Sequence, residues 1–235
     1  HERIVSGRCL STQLTSRRSS GVGPACYYTG QSTMPRTSTA RARLVDSASR
    51  LIHASTYAST NVDDLCAAAG VRKGSFYYFF ASKRDLALAA IDESWARAQA
   101  AILEPAFAPD LPPLERVVRF FRRAAERQSG AVVLGCPFGN LALELSTRDE
   151  VIRDRVRMVF EGYCRYFEQA LCEATANGSI EIRDTAGTAR ALLAYFQGAM
   201  LLAKTHNDSR LIDELGEHAL SLIGARPNPV SKEPS

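Results

Sequence analysis

The chain has no apolar run long enough to span a bilayer. A span needs about 20 apolar residues, and the longest candidate, 191–203, is interrupted by Gln197 and Gly198. No charged-then-apolar leader opens the sequence, so a secretory signal peptide is not expected. The six cysteines, at positions 9, 26, 66, 136, 164 and 172, form no CxxC pair and no Cys/His cluster. Neither a zinc site nor a disulfide framework is indicated, and no cofactor is expected. Cysteines scattered in this way suit a reducing, cytoplasmic compartment. Histidine is scarce too: His1, His53, His206 and His218 stand outside any recognisable catalytic motif, which argues against a cysteine-dependent enzyme.

What is present is an ordinary globular composition, 46% hydrophobic and 23% charged over 235 residues. That length can bury a core, as one medium domain or two small ones. The formal charge of +4 becomes informative when divided. Residues 34–85 carry eight Lys/Arg against four Asp/Glu, residues 1–33 four against one, and residues 86–235 seventeen against twenty. Basic charge thus gathers in the N-terminal third, as a nucleic-acid-binding head requires.

Within that third, Thr60 to Asp85 reads as two short helices joined by a tight turn, then the start of a long helix. Val62, Leu65 and Ala69 fall on one helical face, with Thr60 and Asp63 at capping-box spacing. Gly70 supplies the left-handed residue that ends the helix. Phe76, Phe79 and Phe80 form the apolar face of the second helix, which leaves Arg72, Lys73, Ser75, Tyr77 and Tyr78 facing outward. Cations, a hydroxyl and phenols are the groups that meet phosphates and base edges. Ser82 and Asp85 form a second capping box. Ahead of this module, Leu44, Val45, Ala48, Leu51 and Ile52 mark a helix from Thr39 to Tyr57, with Arg41 and Arg43 off its stripe.

The string AGVRKGSFYYFFASKRDL resembles the helix-turn-helix signature of the TetR family of bacterial transcriptional repressors, closely over about residues 39–95. The resemblance implies an all-α fold: a three-helix DNA-binding domain, here 38–85, followed by a helical ligand-binding and dimerisation domain, 86–224. It also implies that Lys73, Ser75 and Tyr78 approach bases of double-stranded operator DNA, that Tyr77 and Lys83 hold phosphates, and that Gly74 lets the backbone come close. Arg41 is either a phosphate contact or part of a solvated face, and Arg72 belongs to the outward set. Residues 1–37 read as a disordered or non-native extension, with Met34 as the natural start; a basic arm entering the minor groove is the other reading. Residues 225–235, rich in proline, read as a disordered tail.

The remaining pattern is helical throughout. A helix from Ser82 runs to about Leu103, and the four prolines of 104–113 mark a connection. Leu114, Val117, Val118, Phe121 and Ala125 define an amphipathic helix whose arginine-rich face reads as solvated. A long helix over about 148–177 carries the stripe Ile152, Val156, Val159, Tyr163, Phe167, Ala170 and Leu171, with Cys164 and Cys172 as core or near-core residues. Ala186 to His206 is apolar on several sides, and Leu211, Ile212, Leu215, Ala219, Leu222 and Ile223 form the last helix. These last two helices are the expected homodimer interface.

Gly135-Cys136-Pro137 carries the second motif. Proline favours the first helical position, which puts Cys136 at the N-cap, where a helix dipole lowers a thiol pKa. The Gly-Cys motif and the lysine ending the apolar helix resemble the electrophile- and redox-sensing branch of TetR-like repressors. By that resemblance Cys136 is the sensor and Lys204 its partner, although Pro137 departs from the pattern. Lys204 is otherwise a lysine at a helix end. Phe138, Asn140, Tyr163 and Phe167 are placed by position as ligand contacts for a small-molecule inducer. Two other readings stay open: a cysteine-dependent enzyme, and a dimeric helical adaptor without specific DNA binding.

Overall fold

The structure, a computed structural model, describes residues 36–224, with side chains from residue 39 onward. The expectations for the N-terminal extension and the C-terminal tail lie outside those residues. Among the described residues the regular structure is entirely helical. The order is α1 (Arg36–Ala54), α2 (Val62–Ala69), α3 (Lys73–Phe79), α4 (Lys83–Ala98), a π-helical turn (Gln99–Leu103), α5 (Glu104–Ala106), α6 (Pro113–Arg127), α7 (Pro137–Leu145), α8 (Glu150–Ala176), α9 (Thr185–His206) and α10 (Arg210–Leu222). No described helix is long and apolar enough to cross a membrane.

The head is built on α1, whose Leu44, Val45, Ala48 and Ile52 are buried against α2, α3 and the start of α4. The cap of α2 lies one residue later than the spacing predicts. Asn61 is the N-cap: its side chain accepts from Asp64 N–H while the Asp64 carboxylate accepts from Asn61 N–H. Thr60 turns inward instead, donating to the Thr56 carbonyl at 2.8 Å. Asn is the stronger N-cap of the two, and its carbonyl oxygen reaches the amide three residues on. Gly70 closes α2 at φ 60°, as expected, and Ser82 caps α4 by accepting from Asp85 N–H.

The helix opened by Ser82 does not stop at the first proline. It continues through the π-helical turn into α5, with Pro105 inside the helical path. Pro105 lacks an N–H and its ring crowds the carbonyl four residues back, and a widened turn just before it relieves that crowding. The connection is therefore 107–112, and the arginines expected to be solvated secure it. Arg116 is buried, donating to the Leu111 carbonyl and the Glu173 carboxylate at 2.7 Å each. Arg119 donates to the carbonyls of Ala106 and Ala108 and to both oxygens of Asp110.

Phe120, which the α6 stripe omitted, is fully buried and packs edge-on against Phe121, Phe167 and Phe196. Every residue of the α8 stripe is buried as expected. Cys172 is exposed, however, and Cys164 only half-buried, so the core reading of these two fails for Cys172. Two glycines set close approaches. A Cβ at Gly162 would sit 2.5 Å from the Trp95 ring, and one at Gly216 would sit 2.3 Å from Phe121. The second contact seats α10 on α6, where Ile212 and Ala219 are also buried.

Candidate nucleic-acid interface and ligand cavity

The seven residues of α3 are anchored by one side chain, Phe76, which is fully buried and tilts against Phe80. With Phe76 inward, helical geometry turns the opposite face out. Tyr77 is 56% and Tyr78 74% exposed, and Arg72, Lys73 and Gly74 are exposed beside them. Ser75 is half-buried. Tyr77 and Tyr78 are braced edge-on by Phe76 and Phe79, with ring centroids 5.0 and 4.8 Å apart. Two large apolar rings held rigid in water cost free energy unless something covers them. A nucleic-acid backbone or groove is such a cover.

The cations of the head are not all equally free. Lys73 Nζ lies 2.9 Å from the Asp63 carboxylate, which raises the lysine pKa and holds the ammonium toward α2. Base contact by Lys73 would exchange that exposed pair for another. Lys83 is committed more deeply: its ammonium donates to the carbonyls of Tyr57 and Thr60 at 2.9 and 3.0 Å and lies 4.0 Å above the Tyr57 ring. Two of its three donors clamp the turn between α1 and α2, leaving one for a phosphate. Arg41 lies over the Phe80 ring at 5.4 Å, exposed on the same side of the head.

In the C-terminal part the N-cap placement of Cys136 holds. Pro137 occupies the first helical position, and Sγ accepts from Gly139 N–H at 3.4 Å and from Gln197 Nε2 at 3.6 Å. The expected consequence does not hold. Cys136 is buried, and burial pushes its thiol up; the bonds from Gly139, Gln197 and Phe138 pull down but do not win. A buried thiolate loses more hydration than weak N–H···S bonds return. Nor does Lys204 face the sulfur: its Nζ donates to Asn140 Oδ1 at 3.2 Å, and its stem packs on Gly135.

The loop before Cys136 is stitched in place from several sides. The Gly135 carbonyl accepts from Gln128 Nε2 at 3.0 Å and from His53 Nε2 at 2.9 Å, so a residue of α1 grips the Gly-Cys turn directly. Burial, with Lys204 nearby, lowers the His53 pKa against the raising effect of that bond, which keeps the imidazole neutral with its proton on Nε2. Asn140 donates to the Leu134 carbonyl at 3.1 Å. Further along α7, the Glu144 carboxylate accepts from Tyr57 N–H and Ala58 N–H at 2.9 and 2.7 Å. Both ends of α7 therefore hold the head. Sequence reasoning missed His53 and Glu144; Glu144 is the only charge in α7, and that isolation was the available signal.

Two cavities meet at Cys136. One, of about 370 Å³, includes His53, Gln128, Cys136, Phe138, Tyr163 and Phe196 in its walls. The other, of about 320 Å³, is lined by Cys136, Asn140, Leu143, Gly198, Leu201 and Lys204 among others. The expected ligand set is thus divided, with Phe138 and Tyr163 on one side of Cys136 and Asn140 and Lys204 on the other. Phe167 lines neither; it is packed between Phe107 and Phe120.

Residues 44–90 match the family described as bacterial regulatory proteins, tetR family, and residues 112–219 match the tetracyclin repressor-like C-terminal domain. The chain is 32% identical over 176 residues to the HTH-type transcriptional repressor DhaR of Mycobacterium sp. (strain GP1), covering 74% of this chain and 87% of that one. It is 36% identical over 151 residues to the transcriptional regulator AcuR of Cereibacter sphaeroides, covering 63% and 68%. Its fold superposes on the regulatory protein TetR from Rhodobacter sphaeroides with a TM-score of 0.70 at 31% identity, covering 77% and 96%.

Proposed function

This chain belongs to the TetR family of bacterial regulatory proteins, whose matched members are transcriptional regulators rather than enzymes, and from that premise we propose that it is a homodimeric repressor. Each protomer reads one half of a palindromic operator, and a small molecule bound beside Cys136 releases the DNA. The observation that carries the reading is the outward face of α3: Arg72, Lys73, Gly74, Ser75, Tyr77 and Tyr78 together, with Phe76 fixing the helix behind them. In that reading α3 enters the major groove, Lys73, Ser75 and Tyr78 meet bases, and Tyr77, Arg41 and the spare donor of Lys83 meet phosphates. Residues 38–85 form the DNA-binding domain and 86–224 the ligand-binding and dimerisation domain.

The buried, unactivated thiol favours a reversible ligand over an electrophile or oxidant as inducer, since the nucleophile of either reaction is the thiolate. We also place the dimer face differently from the expectation. α10 turns its apolar side onto α6, and its outer side carries Glu214, Glu217 and His218. α9 instead exposes Ala191, Ala194, Gly198 and Leu201 along one stripe, flanked by Leu143 of α7 and Phe160 of α8. Small residues along a stripe let a second helix approach closely, and the exposed leucines need a cover. We therefore place the twofold contact on α9 with α7 and α8.

A gel-shift titration with DNA from upstream of the coding region tests the reading. The wild type should retain one fragment specifically. Tyr78→Ala, which removes an exposed ring with no core role, should weaken that retention by at least about tenfold, on the scale of a lost base contact, with unchanged thermal stability. Retention that is weak, salt-sensitive and indifferent to sequence would instead mark an adaptor.

A further inference from the structure

The larger cavity beside Cys136 has two chemically different ends. At the closed end Phe138, Phe196 and Met200 are buried, an apolar pocket floor. At the open end stand three guanidiniums, those of Arg50, Arg97 and Arg127. Among the described residues no carboxylate lines the cavity. Asp46 partners both Arg50 and Arg97, Glu93 also partners Arg97, and Arg127 forms no ion pair among the described residues. The rim is therefore cationic and has one guanidinium to spare.

The wall holds a second unmatched group. Tyr163 is 4% exposed and lines the cavity, yet among the described residues its hydroxyl has no hydrogen-bond partner. Other polar wall groups are engaged: His53 and Gln128 both donate to the Gly135 carbonyl and Ser49 donates to the Val45 carbonyl, while Ser94 is only half-buried. Burial holds the Tyr163 phenol well above its ordinary pKa, so it remains a donor. A hydroxyl that opens into a cavity is satisfied there by water or by an acceptor on what the cavity binds.

We propose that this cavity binds a small carboxylate with an oxygen acceptor at its opposite end. The carboxylate lies at the rim against Arg127, the apolar body packs on Phe138, Phe196 and Met200, and the acceptor oxygen takes the Tyr163 hydroxyl. A cationic ligand meets the uncompensated charge of Arg127, and a purely apolar one displaces water from the Tyr163 hydroxyl without replacing its hydrogen bond. The same ligand would press on Cys136 and on the turn that His53 grips, which joins its binding to the head. The inference deepens the ligand-released reading given above and rests on it.

Calorimetry on the full chain without DNA tests it, using two keto acids of different length, levulinate and 4-acetylbenzoate. Each is compared with its amide, which removes the charge, and with its deoxo counterpart, pentanoate or 4-ethylbenzoate, which removes the acceptor. At least one keto acid should bind about tenfold tighter than its amide, the ratio expected of a charge-assisted hydrogen bond. Arg127→Gln should abolish the preference for carboxylate over amide and keep that for keto over deoxo. Tyr163→Phe should do the reverse. Trp95, the only tryptophan, stacks 5.0 Å from Tyr163, so its emission should change on binding. Arg127 is exposed, so its arm stands even if Tyr163→Phe fails to fold.

Absence of saturable binding by both keto acids, or wild-type preferences retained in Arg127→Gln, would overturn the proposal. Gel shift with upstream DNA separates the two readings. Specific retention without keto-acid preference removes the ligand class alone. Keto-acid preference without specific retention removes the repressor reading alone.

Discussion

At Gly74 an added Cβ would meet no heavy atom within 4 Å, although a glycine inside a helix costs roughly 0.5–1 kcal/mol relative to alanine. Nothing within the described chain requires glycine there, which is consistent with the proposed close approach to the operator. Gly74→Ala should therefore raise stability by about 0.5–1 kcal/mol in a denaturant melt while weakening operator retention. Gain of stability with undiminished retention would remove Gly74 from the interface. Lys83, by contrast, clamps the α1–α2 turn, so its removal confounds folding with binding and makes it a poor probe of phosphate contact. The cysteines separate in the same manner. Cys172 is exposed and Cys136 buried with a raised pKa, so among the four cysteines of the described residues iodoacetamide should label Cys172 first, with Cys136 protected until the fold opens. Peptide mass spectrometry over time checks the order, and rapid labelling of Cys136 would restore the sensor reading.

Among the elements, α7 has the most consequential position. Its N-terminal turn is gripped by His53 and its Glu144 holds the turn after α1, so hydrogen bonds at both ends tie it to the head. The His53 grip has a pH signature. Its folded pKa lies below the ordinary 6.5, so the unfolded chain binds the proton more readily. The contribution to stability is full above the unfolded value, falls as pH drops through 6.5 toward the folded value, and is then level. Thermal melts should show the wild type losing stability over that window and His53→Gln losing less. Equal slopes would mean that another group carries the dependence.

For the whole molecule, an exposed apolar patch among the described residues lies on α7 and α9. Leu143 is 83% exposed and Leu201 56%, on either side of the bare backbone of Gly198. A dimer seated there would also shield the cavity of about 320 Å³ between α7 and α9. Leu201→Glu should place a charge in that contact and shift sedimentation from dimer to monomer, while the circular dichroism of the protomer is unchanged. It should weaken operator retention as well, because two half-sites bound independently lose the advantage of linkage. A dimer that survives Leu201→Glu would move the interface elsewhere, with α10 the next surface to test.

Local information was enough for the helices, the Gly70 stop, the Cys136 cap and the α3 face, since each depends on residues within a turn or two of one another. The family signature in 69–86 rests on the same short-range chemistry. What no local pattern could decide is which side chains meet across helices. Cys136 has the neighbours of an activated thiol in sequence, but packing under Gln197 and beside Tyr163 removes the water a thiolate needs. The arginines of α6 look solvated one helix at a time; folding brings Glu173 and the carbonyls of 106, 108 and 111 to two of them. The last helix shows an apolar face in sequence, and Gly216 is what lets part of that face sit on Phe121. Periodicity states that a face is apolar, and only the tertiary structure decides what covers it.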